Sequence, residues 1–194
     1  MSDVMLKLAR AMAVLGGLVL TVLVLMVCIS ILGRGGNTFA HWDTLVDSAP
    51  GVSETLIGLG LGPIPGDFEL VEAGIAFAIF AFLPLCQISR GHASVDVFTS
   101  MMPMRVNLWL SALWECLLTA LILLITWRLG VGMLDKAGNG ETTFILQFPI
   151  WWAYAASFFA AVVSAIIAVY CAIVRVGEAV SGRLSAHSDA GAVH

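Results

Sequence analysis

Charge is distributed along this chain in a way that isolates four long apolar runs. Residues 11–33 contain no charged side chain, with Lys7 and Arg10 before them and Arg34 after. A second run starts behind the acidic group Asp67, Glu69 and Glu72 and stays uncharged until Arg90. A third lies between Arg105 and Arg128, interrupted only by Glu115, and a fourth between Glu141 and Arg175. About 20 apolar residues suffice for a helix to cross a ~30 Å hydrocarbon core. The pattern therefore predicts four transmembrane helices, over about residues 11–33, 69–89, 104–127 and 148–174. The first run exceeds the roughly 7–15-residue apolar region of a cleaved signal peptide and is expected to be a retained helix.

The segments between the runs carry their own signals. Residues 34–65 are rich in Gly and Pro and are expected to form an external loop. Trp42, Leu45, Val46 and Ala49 have helical spacing, as do apolar positions in 53–61, so either interfacial turns or an irregular loop fits. The GLGLG stretch at 58–62 has no preceding buried strand and no following Lys, which argues against a phosphate loop. Asp67 is a candidate N-cap, and Glu69 in the first turn suits the helix dipole. Glu69 and Glu72 share a helical face with Ala73 and Ala76, and Pro84 predicts a kink. Residues 93–102 place Val95, Phe98, Met101 and Met102 on one face, with Asp96, Thr99 and Ser100 away from it. A helix that short cannot span a bilayer, so it is expected to lie in the interface before Pro103 opens the third crossing. Together, the second crossing and this segment form an L-shaped brace.

Composition narrows the class. Of the 194 residues, 60% are hydrophobic and only 11% charged, and mean hydropathy is +0.98. The expected fold is an all-α integral membrane domain spanning residues 1–194. With both termini inside, six cations (Lys7, Arg10, Arg90, Arg105, Arg175, Arg183) are cytoplasmic and three (Arg34, Arg128, Lys136) external. That asymmetry predicts an N-in/C-in topology. Residues 175–194 then form a mobile cytoplasmic tail, and Trp151, Trp152 and Tyr154 an interfacial belt. No basic cluster suggests nucleic acid.

Little in the chain points to catalysis or cofactors. Cys28, Cys86, Cys116 and Cys171 fall one per crossing without a CxxC pair and read as packing residues. His41, His92, His187 and His194 lie outside the crossings, which removes a haem anchor. Neither a Ser/His/Asp set nor HExxH is present to build a hydrolase.

GDFEL at 66–70, RGHASVD at 90–96, MMP at 101–103 and QFPIWWAY at 147–154 resemble, in order and spacing, the small membrane subunit of tripartite ATP-independent periplasmic (TRAP) transporters, the DctQ type. The resemblance implies a non-enzymatic subunit of the bacterial inner membrane. Its implied role is to steady a large multi-spanning subunit during sodium-driven uptake of an organic acid delivered by a periplasmic binding protein. It implies no cofactor in this chain, the sodium ions belonging to the complex. A stand-alone four-helix channel, or an anchoring subunit of another membrane complex, remains the alternative.

Candidate contacts with partners follow from the residues. Ala156, Ala160, Ser164, Ala168 and Ala172 recur every fourth position, beside a row of Ala153, Ser157, Ala161 and Ala165. Such a seam lets helices approach closely, within the chain or on a partner. Glu115 at mid-membrane needs a proton, a partner or water. Its readings are a hydrogen bond within the bundle or to the large subunit, or a coupling-ion ligand. Glu69 and Glu72 read as helix-terminal charge or as contacts for basic groups of a partner. His92 with Arg90 and Asp96 reads as a solvated turn or as a clamp on the interfacial helix.

Overall fold

A computed structural model describes residues 3–42, 50–58, 60, 62–89 and 103–181. Its helices are α1 (Asp3–Ala40), α2 (Pro50–Gly58), α3 (Asp67–Ile88), α4 (Met104–Asn139) and α5 (Trp151–Ser181). All but α2 are long and apolar enough to cross a membrane, and no strand occurs among the described residues. The expected interfacial helix at 93–102, with His92 and Asp96, and residues 43–49 of the loop lie outside the described residues.

The four long helices form a row in the order α1, α3, α5, α4, in which α1 is antiparallel to α3 and α4 to α5, while α3 and α5 run parallel. α1 meets α3 at intervals of seven residues. A Cβ on Gly16 would lie 2.9 Å from Ala81 Cβ, one on Gly74 would lie 2.6 Å from Leu23, and Ser30 bonds Asp67. Ala9 and Ile88, one interval further along, belong to the same buried cluster as Ala81. A seven-residue repeat keeps one helix face against its neighbour, and small residues at the contacts let the backbones close in. α5 holds the middle of the row: 56% of its most apolar window is buried, against 17% for α1 at the edge.

Helices outrun the expected crossings. α1 continues from Arg34 to Ala40, inside the stretch expected to be loop. There Thr38 donates to the Arg34 carbonyl, and Arg34 lies 3.7 Å from Asp67. α4 runs past Trp127 to Asn139 because Gly130 and Gly132 are packing notches and not breaks. Added Cβ atoms would meet the Phe158 ring at 2.8 Å and the Tyr154 ring at 3.0 Å. Gly140, at φ 63°, then supplies the left-handed residue that ends the helix. α5 begins at Trp151, three residues later than expected, because residues 141–150 form a hairpin with a bridge between Thr142 and Pro149. At its far end α5 includes 175–181, which therefore is not tail: Arg175 pairs with Glu178 at 3.2 Å, and buried Ala179 packs with Leu108 and Ala112.

Two local expectations are corrected. Asp67 is the first residue of α3 and not its N-cap. Gly66 occupies the cap position at φ 75°, where a side chain would also strike Leu146. Cys28 and Cys116 face outward instead of packing within the chain, whereas Cys171 is buried.

Candidate functional site

Polar groups of the described helices gather at three levels. At the end carrying Arg34 and Trp151, Ser30 donates to Asp67 Oδ2 at 2.6 Å and accepts the Ile64 N–H at 3.1 Å. Asp67 Oδ1 takes the Phe68 N–H, so this one carboxylate ties α1, the 62–66 approach and the start of α3. Glu69 reaches sideways. Its two oxygens accept the N–H groups of Ile145 and Leu146 at 2.6 and 3.0 Å, clamping the hairpin over the ends of α3 and α5. Within that hairpin, Thr143 N–H donates to the Phe148 carbonyl and Phe148 N–H to the Thr143 hydroxyl. Nothing in the sequence marked 141–150 as structured, apart from the Gly140 stop and Pro149.

Below the hairpin lies a half-open cavity of about 310 Å³ between α3, α4 and α5. Glu72 lines it, with Phe80, Leu129, Phe148, Tyr154 and Ser157. Trp151 and Trp152 flank it as an exposed edge-to-face pair with ring centroids 6.1 Å apart, whereas Tyr154 turns inward onto Gly132.

The seam on α5 meets this chain's own helices. Ala160, Ser164 and Ala168 are fully buried, as is Ala161 in the adjoining row, while Ala156 is exposed. Ser164 Oγ lies 2.6 Å from the Phe80 carbonyl of α3 and 2.9 Å from the Ala160 carbonyl of its own helix. Phe80 is four residues before Pro84, so its carbonyl is the one that the missing proline N–H leaves open. With a single proton to give, Ser164 at the shorter distance supplies that hydrogen bond from a neighbouring helix. On the other side of α5, Thr119 donates to the Ala168 carbonyl at 3.2 Å, and Thr126 lies 3.3 Å from the Ala161 carbonyl. Thr119 and Thr126 were not singled out by the sequence; their spacing of seven is the available signal.

Glu115, expected at mid-membrane, instead lies level with the last turn of α3: it is buried and accepts a hydrogen bond from Gln87 Nε2 at 3.2 Å, joining α4 to α3 across the row. Gln87 is 1% exposed, and its carbonyl oxygen has no partner among the described residues. Its signal was an amide at the end of an uncharged run. Among the described residues, no three His, Cys, Asp or Glu side chains converge to hold a metal ion. Of the sequence candidates, then, Glu69 and Glu72 come together at the cavity, Glu115 stands apart beside the last turn of α3, and Ala160, Ser164 and Ala168 line the interior.

Four apolar helices, packed side by side with hydroxyl-to-carbonyl bonds between them, define a multi-pass membrane protein without a recognisable catalytic constellation among the described residues. The profile of the family described as tripartite ATP-independent periplasmic transporters, DctQ component, matches residues 59–178, and the chain belongs to this family of transporter small subunits. The match takes in α3, α4 and nearly all of α5 and leaves α1 outside. No curated protein and no solved structure matches the chain.

Proposed function

We propose that this chain is the fixed scaffold of a large multi-spanning transport subunit in the bacterial inner membrane. The complex takes up an organic acid that a periplasmic binding protein delivers, driven by a sodium gradient. Family membership over residues 59–178 carries the reading. The row supports it: Ser30, Asp67, Thr119 and Ser164 bond its helices to one another, and its flanks remain apolar. Exposed side chains such as Leu25, Ile29 and Leu32 on α1 and Leu113, Leu117 and Leu124 on α4 offer surfaces for lipid or for the large subunit.

Sodium is bound by the large subunit and not by this chain. Glu115 is a structural group, hydrogen-bonded to Gln87. Both termini are cytoplasmic, which puts the end with Arg34, Asp67 and the hairpin outside. Two measurements test the reading. A tag on the chain, used after mild solubilisation of native membranes, recovers a stoichiometric, larger hydrophobic subunit; recovery of the intact chain alone contradicts it. A reporter fused after His194 is active only on the cytoplasmic side, and external activity overturns the topology without touching the subunit assignment.

A further inference from the structure

The lining of the cavity beneath the hairpin carries two carboxylates and three hydroxyls but no cationic side chain. The Glu72 carboxylate faces it, and among the described residues no ion-pair or hydrogen-bond partner meets that group. Ser157, 2% exposed, lines it as well, and its hydroxyl has no hydrogen-bond partner among the described residues. None of the lining residues is Lys, Arg or His. Glu69 also borders the cavity, but its oxygens already take the Ile145 and Leu146 N–H groups. A bare metal ion would need several oxygens to replace its water shell, and one unengaged carboxylate falls short.

Thr143, whose hydroxyl accepts the Phe148 N–H, and the phenol of Tyr154 add polar groups, and the other walls include Phe80, Phe148 and Leu129. Aromatic faces attract organic cations, and a carboxylate near hydrocarbon is costly until a donor compensates it. The exposed pair Trp151 and Trp152 stands on the turn beside the opening, the level at which such rings meet lipid headgroups.

We propose that this cavity binds a primary ammonium group carried on an apolar body, with Glu72 as its counter-ion and Ser157 as a second acceptor. Two sources present that group, the ethanolamine headgroup of a membrane phospholipid and a soluble alkylamine. The site stands on the geometry of α3, α4 and α5 and does not depend on the transport reading.

Native mass spectrometry of the full-length, delipidated chain tests it. The probes are phosphatidylethanolamine, phosphatidylglycerol of the same acyl chains, octylammonium and its neutral isostere octanol. The wild type is expected to retain an amine probe over its amine-free counterpart by about fivefold or more, the effect of one net charged hydrogen bond. Glu72→Gln removes the preference, and Ser157→Ala reduces it by about twofold. Preference for phosphatidylethanolamine alone assigns the site to lipid, preference for octylammonium alone assigns it to a soluble amine, and both outcomes support the proposal. Equal retention of octylammonium and octanol, together with equal retention of the two lipids, overturns it without recourse to any variant. So does a preference that survives Glu72→Gln in a chain of unchanged helicity. If the wild type in complex with a copurified large subunit loses all amine retention, a basic side chain of that partner is the occupant, and the proposal fails.

Discussion

A buried proline in a membrane helix leaves an open carbonyl, and in this chain the donor comes from another helix. Ser164 gives its proton to Phe80, whose own donor Pro84 removed. Ser164→Ala should destabilise the chain by about 1 kcal/mol in a detergent melt. In a Pro84→Ala background the Phe80 carbonyl regains its helical N–H, so the same substitution should cost clearly less. Equal costs in both backgrounds would deny the coupling. Glu115 gives a second residue-level test. Glu115→Ala removes an acceptor from the buried Gln87 amide and should cost about 1–3 kcal/mol. Glu115→Gln, which can still accept and can also donate to the unpartnered Gln87 oxygen, should keep most of the stability. At the membrane edge, Glu69→Ala should make the Ile145 and Leu146 amides exchange hydrogen several-fold faster, since its carboxylate is their acceptor. Pro84 and Glu115 were legible as anomalies in the sequence, but their partners were not. Ser164 and Gln87 are ordinary residues by composition, and their roles exist only once the helices are adjacent.

At the scale of elements, α5 is the organising helix because two of its faces are taken by neighbours. Its small residues separate by exposure: Ala160 and Ala168 are fully buried, Ala156 is not. Ala160→Leu and Ala168→Leu should each destabilise the isolated chain by about 1–3 kcal/mol through overpacking. Ala156→Leu should leave its melting unchanged, and reduced recovery of the large subunit with that variant alone would mark Ala156 as a partner contact. The existence of the four apolar helices could be read from charge spacing, because desolvation of charge dominates in a bilayer. Their ends could not. Outside the hydrocarbon a helix no longer needs apolar residues, so α1 and α4 continue through polar sequence where local bonds and a neighbouring helix support them. Gly130 and Gly132, just past the Arg128 at which charge ends the apolar run, in place admit aromatic rings of α5 and let the helix continue. The seven-residue register of Gly16, Leu23 and Ser30 against Ala81, Gly74 and Asp67 was likewise invisible until the two helices were paired.

For the whole molecule, the row is the feature that bears on function. Each interior helix is bonded or notched into both neighbours, and the two edge helices leave apolar surface outward. Such a plate suits a part that holds another protein in place. Family membership names the class of transporter to which the chain belongs. The central claim is that the plate stays rigid while its partner moves. Cys28 on α1 and Cys116 on α4 are exposed on the two edge helices, so spin labels on them, with Cys86 and Cys171 replaced by Ala, report the span of the row. In the assembled complex, the distance distribution between the labels should be the same with and without sodium and substrate, under conditions where uptake is measured. A sodium- or substrate-dependent shift of several ångströms would show that this chain takes part in the transport motion, and would contradict its role as a scaffold.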